Sequence, residues 1–326
     1  MLSGVVRGRV AAMLRQLALW GSFVKFSHTV FALPFALASM VVAARETRGW
    51  PGWRVFGLVL LAMVGARTCA MAFNRIVDRH FDAKNPRTSG RHLPSGSVSL
   101  AGAWVLCLAS GAVLVGAAWG LNRICLMLSP VALFLVCFYS LTKRFTDFTH
   151  VWLGVALAVA PVGAWLAVEG GFDFLPRVDG KLDLRHSAMI PLVLGLAVVL
   201  WLVGFDIIYA TQDYEFDRRE GLHSLVVRWG PANALAVAFL SHLFMWAVLV
   251  IFGALCAFRL PYWIGLVMIL GLLLLEHVLA RRRKPALINI AFFRLNAVVS
   301  ISFLVVTFLE VAFPWFRLRW TEGVFF

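Results

Sequence analysis

The feature that most constrains this chain is a recurrence of apolar stretches about 20 residues long, the length an α-helix needs to cross a bilayer. Nine occur, at approximately 20–44, 54–77, 100–121, 124–141, 149–168, 188–211, 232–256, 262–280 and 288–313. Inside lipid every backbone donor and acceptor must be satisfied within the protein, so runs this long and this apolar are read as helices. Composition agrees: 61% of the 326 residues are hydrophobic and 14% charged, where a soluble domain is roughly half apolar and about a quarter charged. The expected architecture is one all-α transmembrane domain of nine helices over residues 1–326. A short N-terminal segment, 1–18, forms its start, and the longest polar interruptions are expected at 78–99 and 212–231, with a Gly- and Asp-rich one at 169–187.

A net charge of +14 would suit a nucleic-acid ligand if the basic residues shared one solvated face. They fall instead in short connections between apolar runs, which points to topology and to contact with anionic lipid or substrate. With the N-terminus in the cytoplasm, 17 of the 30 Lys and Arg lie on that side and 10 on the other, while Lys25, Arg67 and Arg294 fall within spans. That bias predicts an integral membrane protein with both long polar interruptions facing the cytoplasm. Neither a nucleic acid nor a protein partner is expected. Arg7, Arg9 and Arg15 precede a run too long for a signal-peptide core and without a small-residue cleavage site, so the first helix is read as uncleaved. The five cysteines are odd in number, widely spaced and without a CxxC pair, and read as small buried hydrophobes.

Two acidic patterns stand out. Asn74, Asp78 and Asp82 recur every fourth residue at the end of the second apolar run, so they share one helical face at the membrane boundary. Tyr209, Asp213 and Asp217 repeat the spacing at the end of the sixth, with Asp206 two turns deeper. One such cluster alone is often a solvated helix end. Two with matched spacing on the same expected side are a different matter, because crowded carboxylates repel unless a cation lies between them. Mg²⁺ takes one or two carboxylates together with phosphate oxygens and water. Asn74, Asp78, Asp82, Asp213 and Asp217 are therefore the candidate metal ligands, set against a diphosphate.

Basic residues surround the same end. Arg67 lies two turns below Asn74, within a span, where a guanidinium requires a partner: either an anionic ligand or an acid such as Asp206. Lys84, Arg87 and Arg91 follow the first acidic pattern, and Lys143 and Arg144 follow Tyr139 at the end of the fourth run. They either set topology or stabilise a diphosphate leaving group. Lys25 and His28 lie in the first run; Lys25 snorkels to the interface or meets an acidic acceptor, and His28 packs or takes part in chemistry.

Asn74-x-x-x-Asp78-x-x-x-Asp82, followed by Arg87-Thr88 and Leu93-Pro94-Ser95-Gly96, resembles the first aspartate motif of the UbiA-type intramembrane prenyltransferases. Tyr209-Ala210-x-x-Asp213-x-x-x-Asp217, trailed by Gly221-x-His223-Ser224, resembles their second. Arg67 and the run from Tyr139 to Arg144 also match, and the likeness spans roughly 20–310. Arg75 stands where many members carry Asp, so metal ligation at the first motif rests on Asn74, Asp78 and Asp82. The run from Lys25 to Pro34 looks like the 4-hydroxybenzoate branch, which also holds enzymes thought to prenylate a naphthoate in the futalosine route to menaquinone.

The resemblance implies Mg²⁺-dependent transfer of a polyprenyl group from its diphosphate to an aromatic acid, 4-hydroxybenzoate first, in quinone biosynthesis. It also implies a bacterial plasma-membrane location. Diphosphate contacts would fall to Arg67, Lys84, Arg87, Arg91, Lys143 and Arg144, and substrate contacts to Asn74, Tyr209, Tyr139, Lys25 and His28. Asp206 would orient the phenol or accept the ring proton. A dihydroxynaphthoate is the alternative acceptor; the family also offers a glycerol phosphate and, less in keeping with the first-helix run, haem or chlorophyllide. A secondary transporter is the alternative from another class, since transporters too carry acids within the membrane.

Overall fold

A computed structural model describes residues 19–25, 29–178, 181–282 and 284–313. Nine principal helices make up the described chain: α1 (Thr29–Ala43), α2 (Trp53–Lys84), α3 (Leu100–Leu121), α4 (Arg123–Thr142), α5 (Thr149–Glu169), α6 (Met189–Arg219), α7 (Leu225–Leu255), α8 (Leu260–Arg281) and α9 (Pro285–Ala312). The last eight are long and apolar enough to cross a membrane. A two-residue antiparallel pair, Arg177–Val178 with Lys181–Leu182, sits in the connection from α5 to α6.

Three expectations are corrected. The first apolar run is not one helix: residues 19–23 are helical, Lys25 adopts a left-handed φ of 51°, and α1 starts afresh at Thr29. A non-glycine residue in that conformation cannot continue a right-handed helix. Next, α2 does not stop at residue 77. Its 32 residues give it a length of about 48 Å, against a hydrocarbon thickness of about 30 Å. The polar stretch expected as loop from 78 is therefore two more helical turns, and Asp78 and Asp82 ride on them. Finally, 212–231 is mostly helical: α6 tightens through a 3₁₀ turn at Thr211–Asp213 and resumes to Arg219, and α7 begins at Leu225 with a kink at Gly230–Pro231.

Close helix contacts need small residues, because lipid supplies no hydrophobic force between helices. A Cβ on Gly65 of α2 would lie 2.9 Å from the backbone of Ser110 and Leu114 in α3, and one on Gly154 of α5 would lie 3.0 Å from the Val199 backbone in α6. The core of α1, α6, α7, α8 and α9 is aromatic, with Phe35 stacked on Phe303 and against Trp201. Within it the Trp201 indole donates to Asn296, Asn296 donates to Glu276, and His242 contacts His277 at 2.9 Å. Such groups at membrane depth must satisfy one another. Asn296 also donates to carbonyls of the π-helical turn Ile290–Leu295, which that turn leaves available.

Candidate active site

α2, α4 and α6 end and α5 begins at one side of the bundle, around a cavity of about 190 Å³. Asn74, Asp78, Asp82, Asp206, Asp213 and Asp217 all line it. The two acidic patterns thus meet at a single mouth. The 3₁₀ turn preserves this facing, since Asp206, Tyr209, Asp213 and Asp217 still reach the same space.

Four of the five carboxylates are met by a cation, and most of these pairs join different elements. Arg87, in the segment after α2, forks onto Asp213 of α6, with its Nε 2.8 Å from Oδ1 and its Nη2 on Oδ2. Arg144, just past α4, donates to Asp78 of α2 at 2.9 Å, and Lys143 lies 3.3 Å from Asp217 of α6. Arg91 donates to Asp82 at 2.6 Å. Asn85 makes the turn that aims Arg87: its side chain accepts from the Arg87 amide and donates to Asp213. Burial pulls the Arg87 guanidinium down, but Asp213 and Tyr209 outweigh it and leave Arg87 above its ordinary value. Lys143 is raised likewise: burial opposes its charge, and Asp217, Asp206, Asp213 and Asp78 together prevail.

The remaining expected residues divide. Tyr209 accepts a hydrogen bond from Arg87 Nη1 at 2.7 Å and packs on Phe292. Asn74 donates to Asp78 at 2.8 Å. Lys84 is 62% exposed and pairs with Glu220 on the surface, away from the cavity lining. Lys25 is exposed and does not line the cavity, while His28 lies outside the described residues. Arg67 lines neither the mouth nor an acid. It opens into a second, apolar groove of about 420 Å³ walled mainly by α2, α3, α4 and α5. Tyr139 and Leu153 line both spaces, so the groove runs up to the acidic mouth.

Three residues at this site escaped sequence reasoning. Arg75 is buried with its Nη1 3.9 Å from Asp82. Asn85 is buried against Asp213. His150, fully buried at the start of α5, contacts Asp206 at 2.6 Å. For His150 a signal existed, an ionisable side chain at the edge of an apolar run; its partner 56 residues away did not show.

The donor set suits a hard divalent cation. Asp82 Oδ2 is buried without a hydrogen-bond partner, and the other carboxylates are held by side chains that could pass to phosphate oxygens instead. Among the described residues no three His, Cys, Asp or Glu side chains form a ready-made metal cage. Mg²⁺ does not need one, since it is commonly bound through one or two carboxylates plus substrate phosphates and water. Asp78, Asp82, Asp213 and Asp217 could hold such an ion arriving with a diphosphate.

Comparison with known proteins shows the family. The model of the UbiA prenyltransferase family matches residues 32–298. The 4-hydroxybenzoate octaprenyltransferase of Coxiella burnetii (strain Dugway 5J108-111) is 30% identical over 241 residues, 73% of this chain and 77% of that one. The protein of that name from Nitrosospira multiformis is 32% identical over 257 residues, 78% and 82% of the two chains. Among solved structures, an apo UbiA homologue from Aeropyrum pernix K1 superposes with a TM-score of 0.75 at 30% identity, over 87% of this chain and 98% of that one. A homologue from Archaeoglobus fulgidus bound to GPP and Mg²⁺ shares the fold at a TM-score of 0.66 and 19% identity, over 90% and 99%. The chain belongs to the UbiA prenyltransferase family.

Proposed function

We propose that this membrane enzyme transfers a polyprenyl group from a polyprenyl diphosphate to an aromatic acid, 4-hydroxybenzoate, in quinone biosynthesis. The observation that carries the reading is the continuity of two unlike spaces at Tyr139 and Leu153: a mouth of five carboxylates and four cations opens directly on an apolar groove. A polyprenyl diphosphate has those two halves. The names of the relatives support hydroxybenzoate as the acceptor. The acids gather at one end of the bundle and not at its midplane, which favours an enzyme over a transporter.

Asp78, Asp82, Asp213 and Asp217, with Asn74, would hold Mg²⁺, which would supply positive charge to the diphosphate leaving group. Arg87, Arg91, Lys143 and Arg144 exchange carboxylate for phosphate oxygens and stabilise the charge that grows as the allylic C–O bond breaks. The apolar groove holds the isoprenoid chain, which leaves lipid only at a cost of about 0.8 kcal/mol per exposed CH₂, and keeps water from the allylic cation. An aromatic carbon ortho to the hydroxyl forms the new C–C bond with a ring electron pair, and its proton passes to Asp206, at the floor of the mouth. Arg67, whose buried Nε has no hydrogen-bond partner among the described residues, lies in the groove wall with Tyr139 and faces the same junction. We place the whole chain in one transmembrane domain of a bacterial plasma membrane, with the mouth toward the cytoplasm where free diphosphates and Mg²⁺ reside.

The test is purified protein in lipid nanodiscs with a polyprenyl diphosphate, Mg²⁺ and either 4-hydroxybenzoate or a dihydroxynaphthoate. The expected result is pyrophosphate release and a prenylated hydroxybenzoate, both abolished by EDTA. Turnover of the naphthoate alone would replace the acceptor, and turnover indifferent to EDTA would overturn the mechanism.

A further inference from the structure

We infer that His150 is a positioning residue for the transfer reaction: its Nδ1–H holds one carboxylate oxygen of Asp206 so that the other meets the acceptor where the two cavities join. The inference rests on the prenyl-transfer reading above and on Asp206 as the proton acceptor within it.

The two members of the pair face different environments. His150 is fully buried in the first turn of α5, and its Nδ1 lies 2.6 Å from Asp206 Oδ2. The Asp206 side chain keeps 21% of its surface exposed and lines the acidic mouth with Tyr139 and Leu153. His150 Nε2 is buried with no partner. An unsatisfied buried donor costs about 1–3 kcal/mol, so the single proton of a neutral imidazole belongs on Nδ1, where a carboxylate receives it. That leaves Asp206 Oδ1, which makes no hydrogen bond among the described residues, as the oxygen available to the cavity.

The order inverts that of a Ser-His-Asp triad, in which the imidazole faces the substrate and a buried carboxylate fixes its tautomer. Here the imidazole is sealed and the carboxylate faces the substrate. The pair is also rigidly mounted. Thr149, beside His150, contacts the Thr142 hydroxyl at 2.8 Å and ties α5 to the end of α4. Gly154, one turn deeper, lets α5 lie against the backbone of α6, which carries Asp206. Lys143, at the end of α4, is a charged neighbour of Asp206. When the ring carbon bonds to the allylic carbon, the diphosphate leaves with the C–O electron pair. The ring proton then passes to Asp206 Oδ1, and His150 keeps its own proton throughout.

The experiment compares His150→Leu, His150→Asn, Asp206→Asn and the double variant Asp206→Asn/His150→Leu in nanodiscs, each checked for helix content. The assay uses acceptor with hydrogen or deuterium at the attacked ring carbon. His150→Leu should lower kcat about 10- to 100-fold with the donor KM nearly unchanged, and should enlarge the isotope effect because proton removal becomes slower. His150→Asn, whose amide N–H can occupy the place of Nδ1–H, should recover most of the loss. The double variant should be no slower than Asp206→Asn, as for residues acting through one another. Wild-type kcat in His150→Leu alongside an impaired Asp206→Asn, or losses that multiply in the double variant, overturns the positioning role alone. Wild-type turnover in Asp206→Asn removes the proton acceptor and this inference with it.

Discussion

Arg87 Nε donates to Asp213 Oδ1 over 2.8 Å, so the segment after α2 is bonded to the end of α6 by a charged fork. The same guanidinium reaches the Tyr209 hydroxyl and lies 5.1 Å from the Tyr209 ring centroid. Three directions of one planar group are therefore in use. Lysine keeps the charge but offers neither the fork nor the stacking plane. Arg87→Lys is expected to lower kcat/KM for the polyprenyl diphosphate by about 10²-fold, the usual scale for loss of one oriented charge-stabilising donor. Pyrophosphate release against donor concentration measures it, and a change within twofold would remove Arg87 from the diphosphate contacts.

Lys84 gives the opposite expectation although it lies three residues before Arg87. Its side chain is 62% exposed, and its ammonium meets Glu220 at 2.7 Å on the outside of the mouth. Exposed pairs contribute about 0–1 kcal/mol. Lys84→Ala should leave turnover within about threefold and thermal stability nearly unchanged, as followed by a melting curve in detergent. A loss comparable with Arg87→Lys would mean that Lys84 turns inward when substrate binds.

Gly154 tests the packing that sets the site's geometry. The α5–α6 approach leaves a Cβ there 3.0 Å from both Val199 Cα and the Val199 carbonyl oxygen, which are backbone and cannot rotate aside. Gly154→Ala forces the helices apart at an expected cost of about 1–3 kcal/mol. The measurement is the drop in melting temperature together with kcat, because the same shift moves Asp206 relative to His150.

Much of this arrangement was legible in the sequence, for identifiable reasons. Lipid demands long apolar runs, so the helices announced themselves, and carboxylates repeated every fourth residue announced a shared face. Where hydropathy ends, however, helices need not. Asp78 and Asp82 sit on continued turns of α2 because nothing in the polar stretch before Asn85-Pro86 breaks a helix. The interruption near Lys25 has the converse origin: it falls within a stretch read as one apolar run, where the backbone turns left-handed at Lys25. The cations Arg87, Arg91, Lys143 and Arg144 could be assigned to the mouth, but their pairing with particular acids depends on how α2, α4 and α6 converge. Arg67 is the clearest case, since helical phase puts it on the Asn74 face, yet it opens into the groove and not the mouth.

The depth of that groove makes donor length adjustable. Gly163 lies on its wall, 14 residues after Thr149 along α5, about 21 Å below the mouth at the rise of an α-helix. Apart from its own stretch of helix, no heavy atom of the described residues lies within 4 Å of where its Cβ would stand, so a side chain there has open space beside the groove without disturbing a helix contact. Gly163→Phe is expected to leave turnover of a two-isoprene donor within about threefold, because a short tail ends above the obstruction. Turnover of an eight-isoprene donor should fall at least tenfold, since blocking burial of even two methylenes forfeits about 1.6 kcal/mol at about 0.8 kcal/mol each. The ratio of kcat/KM for the two donors, measured side by side, reads the effect independently of protein yield. An unchanged ratio would mean that long donors leave the groove sideways into lipid above Gly163 and do not follow α5 to its far end.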